Sequence, residues 1–197
     1  MRCVIAAATI ISAVMALPMS SVTAADYEVG EIYTGLKVGL IGSGSVDLER
    51  HQIDQRTGPS AGFFFDQPFG SIWHYGLSID FYRMAWREKT IGVTLDESEW
   101  LLDLGVNLKA NIVSESWPLG FRPGVGVGVA FLGRMDMAGV AGSSYVTLKA
   151  FTEVVYLSAA GLGYVVEGGI WYAPSGGDNT TDVTLGPLLS LRAGVMF

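Results

Sequence analysis

A single cysteine, Cys3, in 197 residues leaves the chain without any intramolecular disulfide to brace it. Charge is scarce too: Lys and Arg number 12 against 19 Asp and Glu, and a formal charge of −7 argues against a nucleic-acid partner, whose electrostatic footprint is basic. Charged residues make up 16% of the chain and apolar ones 50%, a balance that excludes intrinsic disorder. Beyond residue 25 no apolar run approaches the roughly 20 residues of a membrane-spanning helix. A helical membrane protein is therefore excluded, and the length allows one domain or at most two small ones.

What is present begins with an address. Met1-Arg2 gives a basic start, Cys3 to Leu17 is an almost unbroken apolar run, and Val22-Thr23-Ala24-Ala25 supplies small residues suited to signal-peptidase cleavage. Residues 1–25 are expected to be a cleaved secretory signal. The run ends at Pro18, short of an anchor. Cys3 stands at its beginning, not at the end where a lipid-accepting cysteine would sit.

After the leader, apolar and polar residues alternate with period two, the mark of strands. From Trp100 to Ile112 the even positions are all apolar, while Asp103, Gly105, Asn107, Lys109 and Asn111 lie between them. Comparable segments are Thr34–Leu40, Ser60–Asp66, Trp73–Tyr82, Phe121–Leu132, Thr147–Tyr156, Tyr164–Tyr172 and Leu185–Phe197, which makes eight strands in all. Long connections (Ser43–Gly58, Met84–Glu99, Gly133–Tyr145, Pro174–Thr184) alternate with short turns (Asp66–Gly70, Ser114–Gly120, Ser158–Gly163). In an antiparallel meander this gathers all long loops at one end, as in a bacterial outer-membrane barrel with extracellular loops and periplasmic turns.

The polar face carries ten charges in equal numbers: Lys37, Lys109, Arg122, Lys149 and Arg192 against Asp66, Asp80, Asp103, Glu153 and Glu167. Balanced charge among many glycines suits a narrow lumen, because a buried charge is tolerated only with a partner. The apolar face has no charge inside these spans, as a lipid contact demands, since a midplane Arg or Lys costs about 2–4 kcal/mol. Its aromatics fall near strand ends and predict interfacial girdles of Trp73, Tyr75, Trp100, Phe121, Phe131, Tyr156, Tyr164 and Tyr172. The expected fold is all-β: an eight-stranded antiparallel up-and-down transmembrane β-barrel over residues 33–197, preceded by a periplasmic segment at 26–32.

Two segments carry a family resemblance. The last strand, Leu189-Ser190-Leu191-Arg192-Ala193-Gly194-Val195-Met196-Phe197, resembles the signal by which the barrel-assembly machinery recognises outer-membrane barrels, with Phe197 as its terminal aromatic. Phe121-Arg122-Pro123-Gly124-Val125-Gly126-Val127-Gly128-Val129-Ala130-Phe131 is similar to a Pro-then-glycine-alternating strand of the small OmpA/OmpX-like barrel superfamily. The resemblance implies fold and bacterial outer-membrane location. It says little about role, because that superfamily holds structural, adhesive, protective, pore-forming and enzymatic members.

No catalytic or metal site is assigned. His74, Ser78 and Asp80 share one strand face, yet at about 3.3 Å per residue His74 and Ser78 lie roughly 13 Å apart, beyond nucleophile–base reach. The His-x-Ser arrangement of lipopolysaccharide deacylases is absent from the sequence. Gly124, Gly126 and Gly128 sit inside a strand and do not form a phosphate-binding turn. Acidic residues in the expected loops (Asp47, Glu49 and Asp54 with Arg50, His51 and Arg56; Asp96, Glu97 and Glu99; Asp178 and Asp182) have oxygens that suit hard cations, but ordinary solvation accounts for them. The expected role is structural or surface-interacting through four extracellular loops, with a side-chain-filled lumen. A narrow conduit for small or apolar solutes and a lipid-modifying enzyme are the alternatives. Expected partners are outer-membrane lipid and lipopolysaccharide, the barrel-assembly machinery and an extracellular ligand at the loops. A monomer without cofactors is expected.

Overall fold

The structure, a computed structural model, describes residues 32–42, 44–48, 51–70, 72–90, 93–113, 119–133, 143–158, 162–177 and 183–197. The expected signal at 1–25 and most of the segment at 26–32 lie outside the described residues, as do Glu49, Arg50, Asp178 and Asp182. Every described element is a strand: β1 (Tyr33–Gly42), β2 (Gly44–Leu48), β3 (His51–Arg56), β4 (Gly58–Phe69), β5 (Trp73–Thr90), β6 (Val93–Ala110), β7 (Ile112–Val113), β8 (Leu119–Leu132), β9 (Ser143–Leu157), β10 (Gly163–Gly177) and β11 (Val183–Met196).

These eleven segments make eight barrel staves, because β1 runs on into β2, β3 into β4 and β6 into β7. Each stave pairs antiparallel with the next, and β1 closes the ring on β11 from Gly35↔Met196 to Gly42↔Leu189. Phe197 extends the seam, its backbone exchanging hydrogen bonds of 3.0 and 2.9 Å with Thr34. Closure leaves no sheet edge around the ring, which is the condition for a sheet to stand in hydrocarbon. At the short-turn end Gly70 takes a φ of 74°, a left-handed conformation that glycine adopts without strain.

Two expected long loops are strands instead. The stretch Ser43–Gly58 contains the hairpin of β2 and β3, paired from Gly44↔Gln55 to Leu48↔His51. Met84–Glu99 continues the hairpin of β5 and β6, whose 18-residue strands pair without interruption from Trp73↔Ala110 to Thr90↔Val93. The roughly 9–11 residues of a tilted spanning strand are exceeded, so this hairpin stands above the apolar belt.

The reason these stretches escaped the pattern lies in its sign. Below Phe81, β5 points Leu77 and Ile79 outward and Ser78 and Asp80 inward; above it, Arg83 points out while Met84 and Trp86 are buried. The period persists, but polar and apolar sides trade places. The same exchange occurs on β3, where Ile53 is buried and Asp54 and Arg56 are exposed. Where the outside changes from lipid to water, so does the residue that belongs there.

Candidate functional site

Inward alternation from all eight staves brings the ten lumen charges into one connected array. Lys37 joins Glu153 (2.7 Å) and Glu167 (2.6 Å); Lys109 joins Asp66 (2.8 Å) and Glu153 (3.0 Å); and Arg122 joins Asp66 (2.5 Å) and Glu153 (3.4 Å). Lys149 bridges Asp80 (2.7 Å) and Asp103 (3.0 Å), and Arg192 bridges Glu167 (2.5 Å) and Asp80. No member is more than 8% exposed. Asp103 also accepts hydrogen bonds from Thr147 (3.0 Å) and from the Trp171 indole N–H (2.7 Å). Two phenyl rings complete the layer: the Lys37 and Lys109 ammonium groups lie 4.5 and 4.8 Å from the Phe64 centroid, with Phe151 near both.

Glycine makes the array possible by close approach. A Cβ at Gly62 would overlap the Asp80 carboxylate, and one at Gly76 would overlap that of Asp66. Small wall residues thus leave room for charges reaching across the bore.

The lumen is not ionic throughout. On the loop side of the array lies an apolar layer that includes Ile41, Tyr82, Met84, Trp86, Leu101, Leu132, Trp171 and Leu188. Tyr82 and Trp171 meet edge to face, their centroids 6.0 Å apart. On the turn side Tyr33, Phe64, Val155, Val165 and Met196 form a second layer. The side chains that fill the lumen are therefore apolar in two layers and charged in the one between. Tyr82 and Trp171 alternate inward in step with Asp80 and Glu167, and nothing in the spacing marks such residues as the ones that seal the bore.

The expected girdle residues Trp73, Tyr75, Trp100, Phe121 and Phe131 point outward, exposed by 41–51%. Tyr156 and Tyr164 stand opposite each other on β9 and β10 with centroids 6.4 Å apart, and both, like Tyr172, are half-buried. Among the described residues, every outward-pointing charge lies on the loop side of Phe81 and Trp100. His74, Ser78 and Asp80 are all buried, but no triad results: the Ser78 hydroxyl accepts from Lys149 (3.4 Å), Asp80 pairs with Lys149 and Arg192, and the His74 ring neighbours Tyr33.

A polar rim, built partly from residues that the sequence assigns to loops, stands on strands just above the apolar wall. Arg87 grips Asp96 through Nε (2.7 Å) and a terminal nitrogen (3.0 Å), while Arg56 lies 3.6 Å from the same carboxylate. Hydrogen bonding from Arg87 holds the Asp96 carboxyl below its ordinary range and raises the Arg87 guanidinium in turn. Arg83 donates to the Ser98 hydroxyl (3.0 Å) and lies 5.9 Å from the Trp100 ring. Between these strands is a recess of about 320 Å³, lined by Arg56, Thr57, Gly58, Pro59, Arg83, Ala85, Trp86, Asp96, Glu97 and Ser98. Its signal in the sequence was the alternation of Arg83, Ala85 and Arg87, which a rule of apolar-outward could not read.

No protein-family model matches the chain, and no curated protein matches its sequence. Among solved structures, the chain is similar to Neisserial surface protein A, with a TM-score of 0.57 and 14% identity over 84% of this chain and 95% of that one. It is likewise similar to the outer membrane protein OprG from Pseudomonas aeruginosa, with a TM-score of 0.56 and 13% identity over the same shares. At such identity the likeness is one of fold: the chain shares the closed antiparallel β-barrel architecture of these two structures.

Proposed function

We propose that the chain is an integral barrel of a bacterial outer membrane with a sealed interior, acting at the cell surface through its loop end as a structural or surface-interacting protein. One observation carries this reading. The bore is filled in three successive layers, with Trp86 and Trp171 no more than 2% exposed above an ion-paired belt. An eight-stranded barrel is only wide enough for side chains to fill. The similar structures are those of a surface protein and an outer-membrane protein, which supports this assignment of place.

Planar-bilayer recording of the purified barrel tests the sealed bore. The expected trace has no reproducible conductance steps; discrete steps would favour the conduit. Catalysis has its own test, in which lipopolysaccharide incubated with the protein and weighed by mass spectrometry keeps its mass. Loss of an acyl chain would overturn the non-enzymatic reading.

A further inference from the structure

We infer that the recess between Arg56 and Arg83 seats the phosphate group of a lipid in the loop-side leaflet. The inference rests on the outer-membrane reading above, because there that leaflet carries lipopolysaccharide with its phosphates at this depth.

Position comes first. Arg83 points outward two residues above Phe81, about 7 Å along the strand, and Phe81 with Ile79 below it belongs to the charge-free wall. A lipid whose chains lie against that wall therefore holds its headgroup at the level of Arg83. Trp100, the register partner of Arg83 on β6, marks the same level as an outward indole of the kind that populates membrane interfaces.

Donor availability comes second. The Arg83 guanidinium is held by a hydroxyl and an aromatic face, not by a carboxylate. Asp96 is already gripped by Arg87 through two hydrogen bonds, and Arg56 stands off at 3.6 Å with its side chain 53% exposed. Two guanidinium groups thus keep donors to offer, and a guanidinium fork matches phosphate oxygens. Gly58, Pro59 and Ala85 supply the hollow between them.

Charge comes third. In a chain of formal charge −7, the outward face of this rim presents Arg56, Arg83 and Arg87 against Asp54 and Asp96. Glu97 lines the recess from the alternate face of β6. That outward face carries one more positive than negative charge, and Glu97 brings the recess to balance, so an anionic headgroup does not meet there the negative charge that the chain carries as a whole.

Native mass spectrometry of the detergent-solubilised barrel, titrated with diphosphoryl lipid A, tests the assignment. Wild type should bind one lipid A in clear preference to enzymatically dephosphorylated lipid A. Arg83→Gln and Arg56→Gln should each weaken binding at least about tenfold, a change of about 1.4 kcal/mol, because each removes a charge-assisted hydrogen bond to the phosphate. Asp96→Asn should strengthen binding by releasing Arg56, a gain that misfolding cannot imitate. Equal affinity for the dephosphorylated lipid, or weaker binding by Asp96→Asn, would overturn the assignment. So would displacement of lipid A by millimolar inorganic phosphate, which would make the recess a site for free anions. Membrane fractionation of cells separates the two readings: a chain outside the outer membrane removes the cellular premise, whereas failed titration of an outer-membrane protein removes this site alone.

Discussion

Glu153 and Asp103 occupy opposite extremes of the interior ion array. Glu153 meets three cations, Lys37, Lys109 and Arg122, which without it would share two carboxylates, Glu167 and Asp66. Asp103 meets one cation, Lys149, which also holds Asp80. Removing one partner of a buried pair costs about 3–5 kcal/mol because it strands a charge. Glu153→Gln is therefore expected to approach that loss in urea unfolding from detergent micelles. Asp103→Asn, with Lys149 still paired, should cost about 1–2 kcal/mol, nearer the value of single hydrogen bonds. Equal losses would contradict the network. On the outer wall, Leu104 is 43% exposed and surrounded by apolar neighbours, so Leu104→Arg should lose about 2–4 kcal/mol and insert poorly into vesicles. The ten interior positions were legible because alternation assigns each side chain to a face. Their pairings were not: partners such as Lys109 and Asp66 come from staves whose relative register one sequence does not state.

The hairpin of β5 and β6 shows where element-level reading stopped. Its lower half obeys apolar-outward, and its upper half, from Arg83 and Ser98 upward, obeys the opposite rule. A reader who fixes the sign loses the strand at the membrane boundary and takes the remainder for loop. The upper half also yields a pH prediction. Because Arg87, and more weakly Arg56, lower the Asp96 carboxyl, the ion pair is intact above the ordinary aspartate range and is lost as pH falls through the depressed value. NMR titration of Asp96 should give a midpoint below the usual 3.8, and Arg87→Gln should return it upward. An unshifted wild-type midpoint would contradict the grip seen between the two side chains.

Across the whole molecule, closure, strand number and sidedness were legible because each follows from period and composition. The layering of the bore was not, since Trp171 and Tyr82 alternate inward just as Glu167 and Asp80 do, and spacing alone does not distinguish a seal from a charge. The arrangement has a cooperative consequence: ion pairs in the middle layer are shielded from water by apolar layers at both ends, so they are screened little by salt. Raising ionic strength from 0.05 to 0.5 M, a range chosen for the test, is expected to leave the thermal unfolding temperature in detergent nearly unchanged. A steep fall would mean that water reaches the array.

The direction in which each face points is best tested by single-cysteine accessibility, which the sequence favours because its one cysteine lies in the expected leader. Spin labels at Leu104→Cys, Val106→Cys and Leu108→Cys in vesicles should be relaxed by oxygen and protected from an aqueous nickel chelate, while Ser78→Cys in the folded barrel should resist labelling. Nickel relaxation at the three outer sites, with ready labelling at position 78, would place lipid and water on the wrong sides of this wall.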